Sequence, residues 1–265
     1  MATLKTETHI VSLSGGTASA VAADRVLNRY DPNNVILWFA DTKWEDEDLY
    51  RFLDDLEVRW NKKIIRFTDG RTPLEVAEEK KLIPNSWAAP CSHLLKQVPF
   101  REFLETIEKP VTVHLGLDWS EGHRHAKPKE IYESIEGVSV DFPLTWEPLP
   151  YMDYTNMIEK WGIDPPRLYA LGFPHNNCGG RCVRQGMKEW LRLKQFFPER
   201  FTQVRDWELE QRAKGGARAN RSILKDRKGG TAKPLTLEKL EQDNSDTQID
   251  MFATQGDSYG CFCEY

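Results

Sequence analysis

Hydrophobic and polar positions over the first 70 residues alternate between two periods, one belonging to strands and one to helices. His9-Ile10-Val11-Ser12-Leu13 reads as a short buried strand, followed at once by a turn of small residues. Val21, Ala22, Val26 and Leu27 then fall on one side of a helix running from Ala18 to Tyr30. Val35-Ile36-Leu37-Trp38-Phe39-Ala40 is nearly unbroken apolar sequence, the pattern of a parallel strand covered on both faces. An acidic stretch, Glu45-Asp46-Glu47-Asp48, opens a second helix carrying Leu49, Phe52, Leu53, Leu56 and Trp60. Acids in a first turn suit the positive end of the helix dipole. Lys63-Ile64-Ile65-Arg66-Phe67 makes a third strand.

This order predicts a parallel sheet with right-handed crossovers. A fourth strand is expected at Val111–Gly116 and a weaker fifth at Gly137–Phe142, with helices over 73–81, 93–107, 153–161 and 183–197. No internal repeat is visible. Composition changes after about Arg205. Between Arg212 and Lys233 stand eight Lys/Arg, four Gly and one acid, Asp226; from Pro234 onward there are seven acids and one Lys, Lys239. The expected division is an α/β domain over 1–205 and an appendage over 206–265. That appendage combines a basic loop, a short helix near 236–242 and an extended acidic tail ending in Gly260-Cys261-Phe262-Cys263-Glu264-Tyr265.

With 265 residues, 40% of them hydrophobic and nine of them Trp, the chain can bury a substantial core. A formal charge of −5 excludes a globally basic nucleic-acid binder and leaves only local patches. No stretch approaches the roughly 20 apolar residues needed to span a bilayer, and the first residues have no apolar signal-peptide core. Five Cys without a secretion signal argue against a disulfide framework, so a cytoplasmic protein with reduced thiols is expected.

The candidate chemistry starts at the first turn. Ser14-Gly15-Gly16-Thr17-Ala18-Ser19 lies between a buried strand and a helix start. Two glycines let the backbone bend sharply and bring its N–H groups near an anion, and the helix adds unpaired amides and its positive end. Ser14, Thr17 and Ser19 bring hydroxyls to the same turn. The turn also sits at the carboxyl end of a first strand, where open α/β sheets bind ligands. The sequence has neither a Walker loop nor a G-x-G-x-x-G after that strand. Asp41 and Thr42 follow the second strand, where an acid can accept from a ribose or a base edge; the plainer reading is a helix cap.

Cys91, Cys178, Cys182, Cys261 and Cys263 form three clusters. Cys91 opens a predicted helix, whose dipole would lower its pKa. Gly179 and Gly180 leave room for a tight chelate between Cys178 and Cys182. Thiolate sets of this kind suit an iron–sulfur cluster or zinc, whereas buried apolar packing is the plainer role for any single Cys. The basic residues Arg212, Lys214, Arg218, Arg221, Lys225, Arg227, Lys228 and Lys233 would attract polyphosphate, with RNA or DNA as a secondary partner for segment 212–233; no aromatic lies among them to stack bases.

In combination these segments resemble one family. S-G-G-x-x-S after a first strand is similar to the PP-loop of the adenine nucleotide α-hydrolase superfamily, which includes ATP pyrophosphatases and sulfonucleotide reductases. Phe39-Ala40-Asp41-Thr42, Pro90-Cys91-Ser92-His93-Leu94-Leu95-Lys96, Gly116-Leu117-Asp118-Trp119-Ser120-Glu121-Gly122-His123-Arg124 and Asn176-Asn177-Cys178-Gly179-Gly180-Arg181-Cys182-Val183 resemble, in order, segments of its PAPS reductase-like branch, especially the small phage and prophage proteins. Lys96 comes one residue later than in that pattern, and Ala18 replaces the Asp usual in ATP pyrophosphatases.

The resemblance implies a Rossmann-like (HUP-type) three-layer α/β sandwich with a parallel sheet, binding ATP or phosphoadenosine phosphosulfate (PAPS) at the loop. It places Lys96 and Arg124 facing the nucleotide phosphates. It also implies a [4Fe–4S] cluster on Cys91, Cys178 and Cys182, with zinc as the second choice. Cys261 and Cys263 are placed like the nucleophile on a reductase tail, although the E-C-G-[IL]-H signature is missing. The implied activity is sulfonucleotide reduction or sulfur transfer. The alternatives are an AMP-forming sulfurtransferase acting on nucleic acid and a non-catalytic nucleotide-binding module.

Overall fold

A computed structural model describes residues 7–147, 153–227 and 230–245. The chain runs β1 (Thr8–Leu13), α1 (Thr17–Arg29), β2 (Val35–Asp41), α2 (Glu47–Trp60), β3 (Ile64–Thr68) and α3 (Pro73–Glu79). Next comes a helical stretch in three parts: α4 (Pro90–Ser92), a π-helical turn at His93–Gln97 and α5 (Val98–Thr106). β4 (Val111–Leu115), a 3₁₀ turn at Trp119–Arg124, α6 (Ala126–Tyr132) and β5 (Val138–Asp141) complete the sheet. The remainder is α7 (Tyr154–Lys160), α8 (Arg167–Ala170), α9 (Met187–Phe196), α10 (Pro198–Ala213), the hairpin strands β6 (Leu224–Asp226) and β7 (Lys233–Leu235), and α11 (Leu237–Asp243).

The sheet order is β3-β2-β1-β4-β5, and every neighbouring pair is parallel. This is the expected Rossmann-like α/β architecture. Period-2 alternation sends Val11, Leu37 and Phe39 to one face, where they meet α1, α2 and Ile158 of α7. Ile10, Trp38 and Ala40 go to the other, against Phe100 and Leu104 of α5 and Tyr132 of α6. Helices therefore cover both faces. The chain steps outward from β1 to β3, then returns to β4 on the other side of β1. That reversal opens a crevice at the carboxyl ends of β1 and β4, the position where such sheets bind ligands. Gly116 marks how close the chain comes there: a Cβ on it would lie 2.8 Å from Ser19 Cα.

A separate apolar cluster packs α9, α10 and α11 around Trp190, Leu193, Phe201, Val204 and Leu240. The helix expected over 183–197 begins only at Met187, where Gly186 supplies the N-cap and donates its amide to the Glu189 carboxylate at 3.1 Å. α10 runs through position 205, where the composition changes. Its Glu208 accepts from the amides of Ile223 and Leu237, both at 2.7 Å, and so ties the hairpin and α11 to the helix. Among the described residues, no helix is long and apolar enough to cross a membrane.

Candidate functional site

β1 ends at Leu13 and α1 begins at Thr17, leaving Ser14-Gly15-Gly16 to make the turn. Gly15 has φ +80°, and a Cβ on it would lie 2.5 Å from Leu49 Cδ1. Only glycine fits that backbone and that space. Two serines staple the turn. The Ser14 amide and hydroxyl both donate to Ser19 Oγ, at 3.1 and 3.0 Å, and Ser19 Oγ donates to Gly16 O at 2.9 Å. The Gly16 amide donates to Ser14 Oγ at 3.3 Å. The hydroxyl protons thus hold the bend together in this conformation. The amides of α1 differ: Thr17 N donates to the Tyr169 hydroxyl at a long 3.4 Å, while among the described residues no acceptor meets Ala18 N or Ser19 N. These are the orphan donors that make a helix start receptive to an anion.

Behind the turn lies a buried polar knot centred on Glu45, a residue that the local pattern assigns only to the start of a helix. The N-cap is in fact Asp46, whose carboxylate accepts from Asp48 N. Glu45 precedes it with a fully buried side chain. Its Oε1 accepts from Thr42 Oγ1 at 2.9 Å and its Oε2 from Cys178 N at 2.6 Å, with Lys96 Nζ at 3.9 Å from Oε1. Burial pushes the Glu45 carboxyl pKa up, against the opposing pull of Lys96 and of the Thr42 and Cys178 hydrogen bonds. Asn176, two residues before Cys178, donates from Nδ2 to Gly15 O at 3.2 Å. The late Asn-Cys segment thereby reaches the glycine turn directly.

Lys96 lies on the π-helical turn and lines a small, partly open pocket with Ser14, Ala40, Trp38, Phe100 and Tyr132. The pocket sits at the carboxyl edge and is lined by aromatic rings together with Lys96 and Ser14. Asp41 is held by the Lys43 amide at 2.8 Å and the Tyr50 hydroxyl at 2.9 Å. Arg124, largely buried, pairs with Glu121 inside the 3₁₀ turn that follows β4. The structure therefore gathers Ser14, Gly15, Gly16, Thr17, Ser19, Thr42 and Lys96 around one edge through Glu45 and Asn176. Arg124 belongs to the neighbouring connection from β4.

The thiols depart from expectation. Cys91, Cys178 and Cys182 are free cysteines, and all three belong to the apolar cluster of the C-terminal helices. Burial pushes the Cys91 thiol pKa up to about 12, opposite to the lowering expected from a helix start. The physical reason is that α4 has three residues before the π turn, so its dipole is small beside the cost of desolvating a thiolate. Among the described residues, no group of three or more His, Cys, Asp or Glu is placed to hold a metal ion. An iron–sulfur cluster or zinc on Cys91, Cys178 and Cys182 therefore finds no support among the described residues. Cys261 and Cys263 lie outside the described residues. In the basic segment, Arg212 bonds to Arg221 O, Lys214 pairs with Glu78, and Arg218 donates to Gln211 Oε1 at 3.1 Å.

Glu45, Asn176 and Tyr169 escape a local reading. The T-x-x-E spacing of Thr42 and Glu45 was the one available signal for the first. Tyr169 had none, because its partner is 152 positions away.

Fold and site together define a Rossmann-like α/β protein with a stapled glycine turn at the switch point of its sheet. Residues 8–178 match the phosphoadenosine phosphosulfate reductase domain, and the chain belongs to that family. The matched span runs from β1 through the glycine turn to Cys178. Among solved structures it is similar to phosphoadenylyl-sulfate (PAPS) reductase from Candida auris in a phosphate complex, at 15% identity and a TM-score of 0.44, over 66% of this chain and 82% of that one. No curated protein matches the chain.

Proposed function

We propose that this protein binds a sulfonucleotide along the carboxyl edge, with its phosphosulfate group against the start of α1, and reduces it to sulfite. The observation that carries the reading is the pair of unmet amides, Ala18 N and Ser19 N, at the switch point beside the Lys96-lined pocket. Membership of the family supplies the ligand class. Ala18 stands where ATP pyrophosphatases carry an Asp, which disfavours Mg-ATP as the substrate.

Lys96 adds a point charge at the pocket and Arg124 a fork that suits a phosphate. Preorganised donors at the charge that builds on the leaving phosphate lower the barrier to sulfur–oxygen cleavage. The nucleophile must be a thiolate. Cys91, Cys178 and Cys182 lie in the apolar cluster of the C-terminal helices, and the family resemblance gives the nucleophile's role to the tail pair Cys261 and Cys263. One thiolate attacks the sulfur, the S–O bond breaks and its electron pair leaves on adenosine 3′,5′-bisphosphate. The second thiol attacks the first cysteine's sulfur, sulfite departs with the S–S electron pair, and an external dithiol reduces the resulting disulfide.

The test is a nucleotide screen by calorimetry with product assays. Adenosine 3′,5′-bisphosphate should bind, and PAPS with a dithiol should yield sulfite that is lost in Cys261→Ser or Cys263→Ser. Pyrophosphate release from ATP without sulfite formation would instead assign an adenylating enzyme. Binding of neither nucleotide would overturn the reading altogether.

A further inference from the structure

Two residues from the segment between α7 and α9 reach the glycine turn. The Tyr169 hydroxyl accepts from Thr17 N at 3.4 Å and lies 2.9 Å from where a Cβ on Gly16 would stand. Any group that occupies the open side of Gly16 therefore touches the phenol. Asn176 is 2% exposed, donates from Nδ2 to Gly15 O, and has no partner for its Oδ1. Flipping the amide would set two oxygens against each other, so the orientation is fixed by the Gly15 carbonyl. Asn176 Oδ1, buried beside the turn without a partner among the described residues, can accept from a donor on a ligand such as a sugar hydroxyl, and does not itself hold an anion.

Tyr169 is also firmly held. Arg51 Nη2 donates to Asp164 O at 2.9 Å, and the Arg167 amide donates to Asp48 Oδ2 at 2.7 Å. Arg167 Nε meets the fully buried Asp46 carboxylate at 2.8 Å, and Arg200 Nη1 grips the same carboxylate at 2.6 Å. Leu168 is fully buried next to Tyr169. These anchors pin α8 to the start of α2, so the phenol is a preorganised wall of the turn and not a loose cover over it. The long bond to Thr17 N is the kind a charged oxygen readily replaces, since hydrogen bonds to ionised groups are roughly twice as strong.

We propose that Tyr169 is a specificity-determining residue of the glycine-turn site, its hydroxyl hydrogen-bonding the phosphate or sulfate group held by the first amides of α1, with Asn176 positioning the Gly15–Gly16 peptide. This rests on the reading of that turn as the anion site. Tyr169 selects ligands by their anionic group and contributes nothing to the base.

The experiment compares wild type, Tyr169→Phe and Asn176→Ala by calorimetry with two probes, adenosine 3′,5′-bisphosphate and adenosine. Tyr169→Phe should weaken the bisphosphate by about 10- to 100-fold, the worth of a hydrogen bond to a charged group, and leave adenosine unchanged. Asn176→Ala should weaken the bisphosphate as well. A merely structural Tyr169 would lower the melting temperature of the Phe variant while the ratio of the two affinities stayed at its wild-type value, and that result overturns the proposal. If wild type binds adenosine but shows no preference for the bisphosphate, the anion site itself fails, and the Tyr169 assignment falls with it. Tighter bisphosphate binding in Tyr169→Phe would make the phenol a competitor of the ligand and equally overturn the assignment.

Discussion

Two polar clusters are buried against the same sheet, and they are built in opposite ways. On the α1 face, His9 Nδ1 and His114 Nε2 sit 3.1 Å apart, His9 stacks on Tyr30 at 3.6 Å, and Trp146 meets His114 edge-on at 6.0 Å. Burial lowers the pKa of both histidines, His114 to about 4, so at neutral pH both rings are uncharged, with Asp141 and Arg29 at the cluster's edge. At the carboxyl edge, the Glu45 carboxyl and the Lys96 ammonium sit 3.9 Å apart, and Lys96 lines a small, partly open pocket. The first cluster is enclosed by rings of this chain, with His114 Nδ1 lacking a hydrogen-bond partner among the described residues, 3.7 Å from Asp141. The second retains a lysine at a partly open pocket. Histidine content alone would point to the wrong one; the deciding property is where charge meets open volume.

The comparison breaks most severely at the glycine turn. Gly15→Ala forces a Cβ into both a left-handed backbone and the Leu49 side chain. Strain and overpacking together should cost about 4 kcal/mol in urea denaturation and abolish nucleotide binding. Gly122→Ala is the control, because a Cβ there meets nothing within 4 Å. Wild-type affinity in Gly15→Ala would remove the carboxyl edge from consideration as the site.

Much of this edge was legible in the sequence. The run Val35–Ala40 became the interior strand β2, and Leu49, Phe52, Leu53 and Leu56 became the buried stripe of α2. The glycine turn was readable because strand, turn and helix are contiguous. α10 was not, and its residues explain why: the buried stripe Phe201, Val204, Glu208, Gln211 has helical spacing, but half of its members are polar. Glu208 is buried because two backbone amides from distant segments donate to it, which no local period reveals. Cys91 misled for the same reason, since its burial is tertiary and overrides a short helix's dipole. Glu45 and Asn176 became site residues only when Cys178 and Gly15 arrived from elsewhere in the chain.

The histidine pair should reveal itself in acid. A depressed histidine pKa contributes stability that is complete above the unfolded value near 6.5 and is lost as the pH falls through the folded value of about 4. Across that window His114 should account for a loss of about 3 kcal/mol, because the unfolded chain takes up a proton that the buried ring refuses. Urea denaturation at pH 7.5 and pH 4.5, in wild type and His114→Leu, measures it. The variant's stability should fall less steeply. Parallel profiles would mean that the ring is solvated and that the two clusters differ less than the geometry says.

The smallest effect separates the clusters most sharply. Glu45→Gln keeps the shape of the knot, since Gln Oε1 can still accept from Cys178 N while its amide meets Thr42 Oγ1, which can turn to accept. Stability should therefore change by about 1 kcal/mol or less. At a pH where the Glu45 carboxyl is ionised, the variant removes the negative charge beside Lys96, so adenosine 3′,5′-bisphosphate should bind about threefold tighter, a modest gain for a partly screened pair. The pH dependence carries the sign. The Glu45 pKa is raised by burial, so acidification neutralises the carboxyl early and frees Lys96 in wild type too. The affinity gap between wild type and variant should close as the pH falls, with the ligand's own titration cancelling in the ratio. A gap that stays constant with pH would show that Lys96 does not answer to Glu45, and the carboxyl edge would then be as self-contained as the histidine pair.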